Sequence, residues 1–303
     1  MFHVKLKQEK VEIKKCPVCS KDDFSLFLKT KDYFLTQETF TLDKCRNCGF
    51  VFTNPIPSQS ELSKYYDSPD YLSHTANTTS LTALVYKLFR NANIKRKFKL
   101  VNQYTKEKTI LDIGCGTGEL LNYFKHNGWN TQGVEPNQSA RNFAEKNYQL
   151  EVFDEQELNS FEENSVDVIS MWHVLEHVPD LNSRMKQLKR LVKKDGLLVI
   201  ALPNLDSPDA IKYGPHWAGL DVPRHLYHFT KDTFKVLLKN HSMKLIESIP
   251  MKFDAFYVSM LSEKYLKSSF PQIPAIVNGF RSNLIARRNN NYSSMIFVIK
   301  PNN

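Results

Sequence analysis

Strands and helices alternate regularly from residue 108 onward, and this alternation limits the fold more than any other feature of the sequence. Short apolar runs typical of strands are separated by short loops and by stretches with helical periodicity. Such alternation predicts an α/β fold with a parallel sheet that is covered on both faces. The predicted strands are 109–113, 131–135, 150–153, 166–172, 197–202, 244–249 and 295–300, and the predicted helices are 118–127, 137–147, 181–192 and 231–240.

The loop between the first strand and the first helix is rich in glycine. Gly114, Gly116 and Gly118 form a G-x-G-x-G motif, in which the backbone turns sharply and can approach a ligand closely. Asp112 precedes this loop, where it can order the loop or accept hydrogen bonds from a cationic ligand. Glu135 ends the next strand, where a carboxylate suits two ribose hydroxyls. This context predicts a nucleotide-type cofactor; the alternative is a structural turn without a ligand.

Two pairs of cysteines lie near the N-terminus. Each C-x-x-C pair can place two thiolates on one tight turn, and two such turns form a tetrahedral site. All four positions would be filled by protein ligands, so the pattern predicts a structural Zn²⁺, with redox chemistry as the alternative. The predicted zinc ligands are Cys16, Cys19, Cys45 and Cys48.

The chain divides into three predicted regions. Residues 1–53 form a small zinc-ribbon module, residues 54–105 a helical linker or lid, and residues 106–303 the main α/β domain. The linker contains Tyr66 and Tyr71, which we expect to close over a substrate. Its basic run at residues 95–99 is interpreted as a solvated helix face.

The sequence HVLEHVPD, which follows the fourth strand, matches the H-x-x-E-H signature of some zinc proteases. That chemistry needs a continuous helix, whereas Pro179 follows at once and stops or restarts a helix. We therefore reject the protease interpretation. His173, Glu176 and His177 either shape the floor of the cofactor site and handle a substrate proton, or cap the strand structurally.

A loop after the fifth strand concentrates polar and aromatic side chains. A histidine with a pKa near neutrality suits the removal of a proton from an acceptor hydroxyl, and an arginine can bind an anionic group. We prefer His225 or His228 as the base, with His173 or His177 next. His216, Trp217 and Arg224 are predicted to contact the substrate. The alternative is a buried polar network in which these residues satisfy one another.

Together, LDIGCGTG, GVEPN, SVDVISMWHVLEHVPD and DGLLVIALPN resemble class I S-adenosylmethionine-dependent methyltransferases. The resemblance runs from about residue 108 to residue 204. It implies a Rossmann-like seven-stranded sheet whose last strand is antiparallel. It also implies that S-adenosylmethionine is bound by Asp112, Gly114, Gly116, Gly118, Glu135, Pro136, Asp154, Trp172 and His173.

The whole chain resembles zinc-ribbon methyltransferases of bacterial sugar and polysaccharide gene clusters. Their motif W-x-G-x-D-x-P-R-H-x-x-H-F-T is present from Trp217 onward. This resemblance implies O-methylation of a sugar, a nucleotide sugar or a related metabolite. Ubiquinone-pathway O-methyltransferases carry E-x-x-E-H where this chain has H-x-x-E-H, so a Mg²⁺ site associated with that motif is reproduced only in part. Methylation at carbon or nitrogen is the alternative.

The net charge of +9 is complementary to an anionic small molecule such as a nucleotide sugar. No arginine-and-aromatic RNA-binding signature is present, so we do not expect nucleic acid, although an RNA-binding or RNA-modifying protein is the alternative class. No apolar run is long enough to span a bilayer, and no secretion signal is seen at the N-terminus. We therefore expect a cytoplasmic protein without a membrane partner.

Overall fold

A computed structural model describes residues 10–66 and 81–302 of the chain. The strands are β1 (Lys10–Val11), β2 (Phe24–Lys31), β3 (Thr39–Cys45), β4 (Val51–Thr53), β5 (Ile56–Pro57), β6 (Thr109–Ile113), β7 (Asn130–Val134), β8 (Glu151–Phe153), β9 (Val166–Trp172), β10 (Val192–Pro203), β11 (Tyr227–His228), β12 (Met243–Pro250) and β13 (Ser294–Pro301). The helices are α1 (Gln59–Leu62), α2 (Leu81–Tyr104), α3 (Glu119–His126), α4 (Gln138–Tyr148), α5 (Leu181–Leu191), α6 (Pro208–Tyr213), α7 (Lys231–Asn240), α8 (Asp254–Tyr265) and α9 (Gln272–Ala286).

Seven strands form the main sheet in the order β12-β13-β10-β9-β6-β7-β8. Strand β13 is antiparallel to both of its neighbours, whereas β6 to β10 pair in parallel. The predicted α/β class and the antiparallel last strand are confirmed. The strand order reverses beside β6, and ligands of open α/β sheets bind at the carboxyl ends of the strands at such a point.

Both faces of this sheet are covered. On one face, Val101 of α2, Phe124 of α3 and Ala144 of α4 are buried in one apolar cluster. On the other face, Leu188 of α5 and Phe234 of α7 are buried in a second cluster. Because the sheet is covered on both sides, six of the seven residues of the central strand β9 are buried, instead of every second residue.

The N-terminal module is joined to the main domain by a shared sheet. Its strands lie in the order β11-β4-β3-β2, and β11 comes from the loop after the fifth main-sheet strand. Tyr227 pairs with Phe52 and His228 pairs with Val51. Phe50 and Phe52 also enter the apolar cluster that contains α5 and α7. The loop after the fifth main-sheet strand is thus partly a strand of the module.

A helical hairpin, α8 and α9, lies between β12 and β13, where the sequence analysis predicted no element. The helix interpretation of residues 95–99 is confirmed, but the solvated face is wrong at Lys97. Its side chain is half-buried, and its Nζ lies 4.1 Å from the centre of the Trp172 ring. No helix within the described residues is both long enough and apolar enough to cross a bilayer.

Candidate active site

The glycine loop has a conformation that larger residues would not adopt. Gly114 has a φ of 74°, and a Cβ atom there would collide with the side chain of Val174. Gly116 has a φ of 57°, but a Cβ atom there would meet nothing within 4 Å. The loop therefore packs tightly against the segment that follows β9 and is open at Gly116, as a cradle for a ligand requires.

Glu135 lies beside this open position. Its Oε2 accepts a hydrogen bond from the amide of Gly116 at 2.9 Å, and its Oε1 accepts one from the amide of Asn137 at 2.9 Å. Burial raises the pKa of this carboxyl, while the two amide hydrogen bonds oppose the change. A carboxylate has about four acceptor positions, so about two remain for a pair of ribose hydroxyls.

Asp112 lies at the base of the loop and is almost fully buried. It accepts a hydrogen bond from the hydroxyl of Ser170, and burial raises its pKa to about 6. Burial also lowers the pKa of Lys97 to about 8, although nearby Asp112 and Asp254 oppose this change. Lys97 is a site residue that the sequence analysis missed.

Two further predicted cofactor contacts lie at the edge of this region. Asp154 forms an ion pair with Arg141 at 2.9 Å and caps the short turn at 155–159 through the amide of Gln156. Pro136 is exposed, and its carbonyl accepts a hydrogen bond from Arg141. The structure thus gives Asp154 a capping role, and its contact with adenine stays a prediction.

Glu176 is the most unusual group near the loop. It is fully buried in the turn after β9, and neither of its carboxylate oxygens has a hydrogen-bond partner within the described part of the chain. Oε1 lies 3.4 Å from Nδ1 of His173 and 3.9 Å from Nε2 of His225. Burial would raise the pKa of Glu176, but His173, His225 and His177 hold it below its usual range, so the group is ionised.

The orientation of His225 is set by a backbone contact. Its Nδ1 lies 2.9 Å from the carbonyl oxygen of Gly219. Since a carbonyl oxygen can only accept, Nδ1 carries the proton in the neutral ring. Nε2 is then an unprotonated acceptor that faces Glu176, and the ring of His177 packs edge-on at 4.6 Å.

The other predicted bases differ in protonation state. Burial would lower the pKa of His173, but the nearby carboxylates of Asp254 and Glu176 raise it to about 9. Burial lowers the pKa of His177 to about 4 and that of His228 to about 3. At neutral pH these values leave His173 protonated and the rings of His177 and His228 neutral.

Tyr66 is close to this cluster, and its predicted role in closing over a substrate stays a prediction. Its hydroxyl lies 3.1 Å from Nδ1 of His177. Tyr71 lies outside the described residues. Asp254, at the start of α8, lies 3.3 Å from Nε2 of His173 and was missed by the sequence analysis.

Several predicted substrate contacts are engaged in structural interactions. The guanidinium of Arg224 is buried and bonds to Asp221, Asp32 and the carbonyl of Tyr65. Burial would lower the pKa of Arg224, but these carboxylates raise it further. The geometry therefore favours a structural role for Arg224, in which it joins the N-terminal module to the main domain.

Structural contacts within the protein also engage three other predicted residues, His228, Trp217 and His216. His228 is buried, with Nε2 at 3.2 Å from the hydroxyl of Thr53. The indole of Trp217 donates to Asp209 at 2.9 Å. His216 is half-buried and packs against the ring of Tyr33 at 5.2 Å. Their roles in substrate binding and catalysis remain predictions, and the observed contacts favour packing.

The four predicted zinc ligands lie together. Their Sγ atoms are all within 4.8 Å of one another, and the Cys16–Cys48 and Cys19–Cys45 pairs are 3.6 Å and 3.5 Å apart. Tetrahedral Zn²⁺ with bonds of about 2.3 Å separates its sulfur ligands by about 3.8 Å. The cluster therefore fits a structural zinc ion.

A second group of potential ligands is formed by Glu176, His177 and His225, whose donor atoms also lie within 4.8 Å of one another. Two of the three are imidazoles, whereas Mg²⁺ prefers oxygen ligands and retains several waters. This donor set does not fit Mg²⁺, and the sequence-based expectation of magnesium is not supported.

This sheet, with a glycine loop and an acidic residue at the ends of its first two strands, defines a class I methyltransferase fold. A family model described as a methyltransferase domain matches residues 86–248, which is more than half of the chain. The chain belongs to this methyltransferase family. Methyltransferases of this class use S-adenosylmethionine as the methyl donor.

Curated relatives share the central part of the chain. A ubiquinone biosynthesis O-methyltransferase of Actinobacillus pleuropneumoniae is 33% identical over 41% of this chain and 58% of its own length. One from Coxiella burnetii is 32% identical over 33% of this chain and 45% of its own length. The chain thus spans about half the length of these relatives.

A solved structure supports the fold. The PH0226 protein from Pyrococcus horikoshii has a TM-score of 0.50 and 14% sequence identity, covering 78% of this chain and 98% of its own. At this level of identity, the likeness concerns the fold alone.

Proposed function

We propose that this protein transfers the methyl group of S-adenosylmethionine to a hydroxyl group of a small molecule. The observation that carries the proposal is the pairing of His225 with ionised Glu176 directly beyond β9, beside the glycine loop. The reported relatives are named O-methyltransferases, which supports oxygen as the acceptor atom. Their names do not support a sugar, so the acceptor is proposed only as a hydroxylated small molecule.

The cofactor would lie along the carboxyl ends of β6 and β7. Gly116 leaves open space for its backbone approach, and Glu135 has acceptor positions for the ribose. Asp112 lies at the base of the same loop, and Lys97 supplies a cation near Asp112. When bound, the cofactor supplies an electrophilic methyl group on a sulfonium centre.

In the proposed reaction, the acceptor oxygen attacks the methyl carbon in line with the breaking carbon–sulfur bond. The hydroxyl proton passes to Nε2 of His225, and S-adenosylhomocysteine leaves. The carbonyl of Gly219 keeps Nδ1 protonated, so Nε2 is the atom that accepts. Glu176, whose Oε1 lies 3.9 Å from the same nitrogen, would then stabilise the imidazolium that forms through its negative charge.

The surroundings of this pair would position the acceptor. His177 and Tyr66 lie on its partly exposed side, and His173 is held as a cation by Asp254 and Glu176. Because methyl transfer from a sulfonium needs little chemical assistance, these groups contribute mainly through orientation and proximity.

A methyl-transfer screen tests the proposal. The purified chain is incubated with methyl-deuterated S-adenosylmethionine and panels of phenols, hydroxylated metabolites and nucleotide sugars, and the products are read by mass spectrometry. We expect a mass increase on an oxygen atom, abolished or strongly reduced in His225→Ala. His126→Ala, at an exposed histidine of α3, is the matched control and should retain activity. Methyl transfer that is unaffected by His225→Ala would contradict the assigned base.

We further propose that the cysteine cluster binds Zn²⁺ with a structural role. Its support is the close approach of the four sulfur atoms, together with the absence of a free ligand position in a four-thiolate site.

A further inference from the structure

Helix α9 presents its large apolar side chains to solvent. Ile273, Ile276, Phe280 and Leu284 are 66%, 52%, 60% and 62% exposed. Their spacing of three or four residues places them on one face of the helix. Val277 on this helix is 58% exposed, so the apolar stripe is continuous over about three turns. We call these five residues the apolar stripe.

The protein-facing side of the same helix has the opposite character. Ala275, Gly279, Ser282 and Ala286 are buried there. A Cβ atom on Gly279 would collide with the ring of Phe256 on α8, so the hairpin packs closely through small residues. A surface helix normally buries its large apolar residues and exposes its polar ones. This inversion indicates that the exposed apolar face is covered by a second apolar environment, outside the chain.

The charges around the apolar stripe are of one sign. Every exposed charged side chain between residues 252 and 288 is basic. The two acidic residues of this segment point inward: Asp254 contacts His173, and Glu263 is buried with Tyr213 and Asn278. The exposed cations are Lys252, Lys264, Lys267, Arg281, Arg287 and Arg288.

We propose that α9 docks onto the surface of a lipid bilayer that contains anionic headgroups. An apolar helix face bordered by lysine and arginine is the pattern of helices that lie in the plane of a membrane interface. The cations alone around this stripe are complementary to a surface of anionic headgroups. The helix has 15 residues, too few to span a bilayer, so it lies on the surface rather than crossing it.

The docked hairpin is connected to the candidate active site. Asp254, the first residue of α8, contacts His173 at 3.3 Å, and α8 packs along α9. Docking would therefore hold one side of the site close to the bilayer. The apolar stripe consists of exposed residues, so its binding to vesicles does not depend on the identity of the methyl acceptor.

Vesicle flotation with the full chain tests the proposal. Vesicles of phosphatidylcholine alone are compared with vesicles of equal parts phosphatidylcholine and phosphatidylglycerol. We expect binding to the anionic vesicles, reduced at least tenfold in the double variant Ile276→Ser/Phe280→Ser. Each of Arg281→Gln and Arg287→Gln should weaken binding by about fivefold, because a cation near an anionic surface contributes about 1 kcal/mol.

The matched control is Ile211→Ser, which removes an isoleucine that is 75% exposed on α6, away from the apolar stripe. It should bind vesicles as the unmodified chain does. Unchanged thermal unfolding and S-adenosylmethionine affinity in all variants would show that they fold and that their cofactor site is intact. The proposal is overturned if the unmodified chain does not float with anionic vesicles. It is also overturned if the double variant binds anionic vesicles as well as the unmodified chain does. The same holds if the two substitutions only convert a dimer to a monomer and leave vesicle binding unchanged.

Discussion

Nε2 of His225 lies 3.9 Å from Oε1 of Glu176, a carboxylate that is ionised although it is fully buried. Burying such a charge is unfavourable unless it is compensated. Here the compensating charge is the imidazolium of His173, whose Nδ1 lies 3.4 Å from Oε1, rather than a hydrogen bond within the described chain. A charge held in this way is suited to stabilising a positive charge that develops during a reaction, which is the role proposed for Glu176.

Replacing Glu176 with glutamine should separate the effect of the side chain's charge from the effect of its shape. The side chain keeps its volume, but the imidazolium formed on His225 loses its counter-ion. We expect kcat for methyl transfer to fall by roughly 100-fold to 10,000-fold, the usual contribution of acid–base groups. The Kd of S-adenosylmethionine, measured by calorimetry, should change little. A variant with weakened cofactor binding and unchanged kcat would contradict this role.

The pH dependence of stability should report on His173. The pKa of about 9 in the folded chain is above the ordinary value of about 6.5, so folding favours the protonated ring. This contribution is fully present below about pH 6.5 and is lost as the pH rises through about 9. The ring is one-third exposed, and solvent screening reduces the contribution to about 1 kcal/mol.

His173→Asn is the appropriate variant for this test, because His173 has a φ of 58° and asparagine tolerates that conformation. Urea unfolding of both proteins would be measured at about pH 6 and about pH 9.5. The free energy of unfolding of the unmodified chain should fall more between these two pH values than that of the variant. Equal losses in both proteins would show that the stability does not depend on His173.

Arg224 should matter more for folding than for substrate recognition. Its removal leaves Asp32 and Asp221 without their cation, and Asp32 is fully buried. We expect Arg224→Ala to lower the free energy of unfolding by about 3–5 kcal/mol, as is usual when one partner of a buried ion pair is removed. Lys235→Ala, which breaks an exposed pair with Asp232, is the control and should change stability very little. A stable Arg224→Ala protein with a selectively raised KM would favour the substrate-binding role.

Zinc should be retained on purification and should stabilise the N-terminal module. Elemental analysis is expected to find about one Zn²⁺ per chain, and Cys48→Ser should lose the metal and unfold at a lower temperature. Phe50 and Phe52 of the module belong to the main apolar cluster, so loss of the metal should also destabilise the main domain. Cys115→Ser, outside the cluster, should keep its zinc. A chain purified without chelator that contains no zinc would refute the metal assignment.

Much of the fold could be predicted because local pattern and tertiary environment agree in the main domain. Helix α7 and strand β9 have the predicted bounds, since the helix has a clear period and begins after a capping threonine, and the strand is a short, largely apolar run. The α8–α9 hairpin was not predicted, because local pattern and tertiary environment disagree there. Its large apolar residues face solvent and its small residues face the protein, so the usual pattern of an amphipathic helix is inverted.

The candidate site was predictable only in part. The glycine loop and Glu135 are close in sequence to the elements that position them, whereas Arg224 meets Asp32 across 192 residues. Lys97 could have been found from helical spacing: it lies three residues after Ile94 and four before Val101, both of which pack in the core. Asp254 gave no comparable signal, because its position depends on how the hairpin folds back to His173.

The central claim is that this methyltransferase fold binds S-adenosylmethionine through the glycine loop and Glu135. Calorimetric titration of the unmodified chain, Glu135→Gln and the control Glu151→Gln on the neighbouring strand tests it most directly. We predict one-to-one binding to the unmodified chain and to the control, and an affinity about 10-fold to 100-fold weaker for Glu135→Gln, since charged hydrogen bonds contribute about 1.5–3 kcal/mol. No binding to the unmodified chain, or equal affinity in Glu135→Gln, would contradict the account.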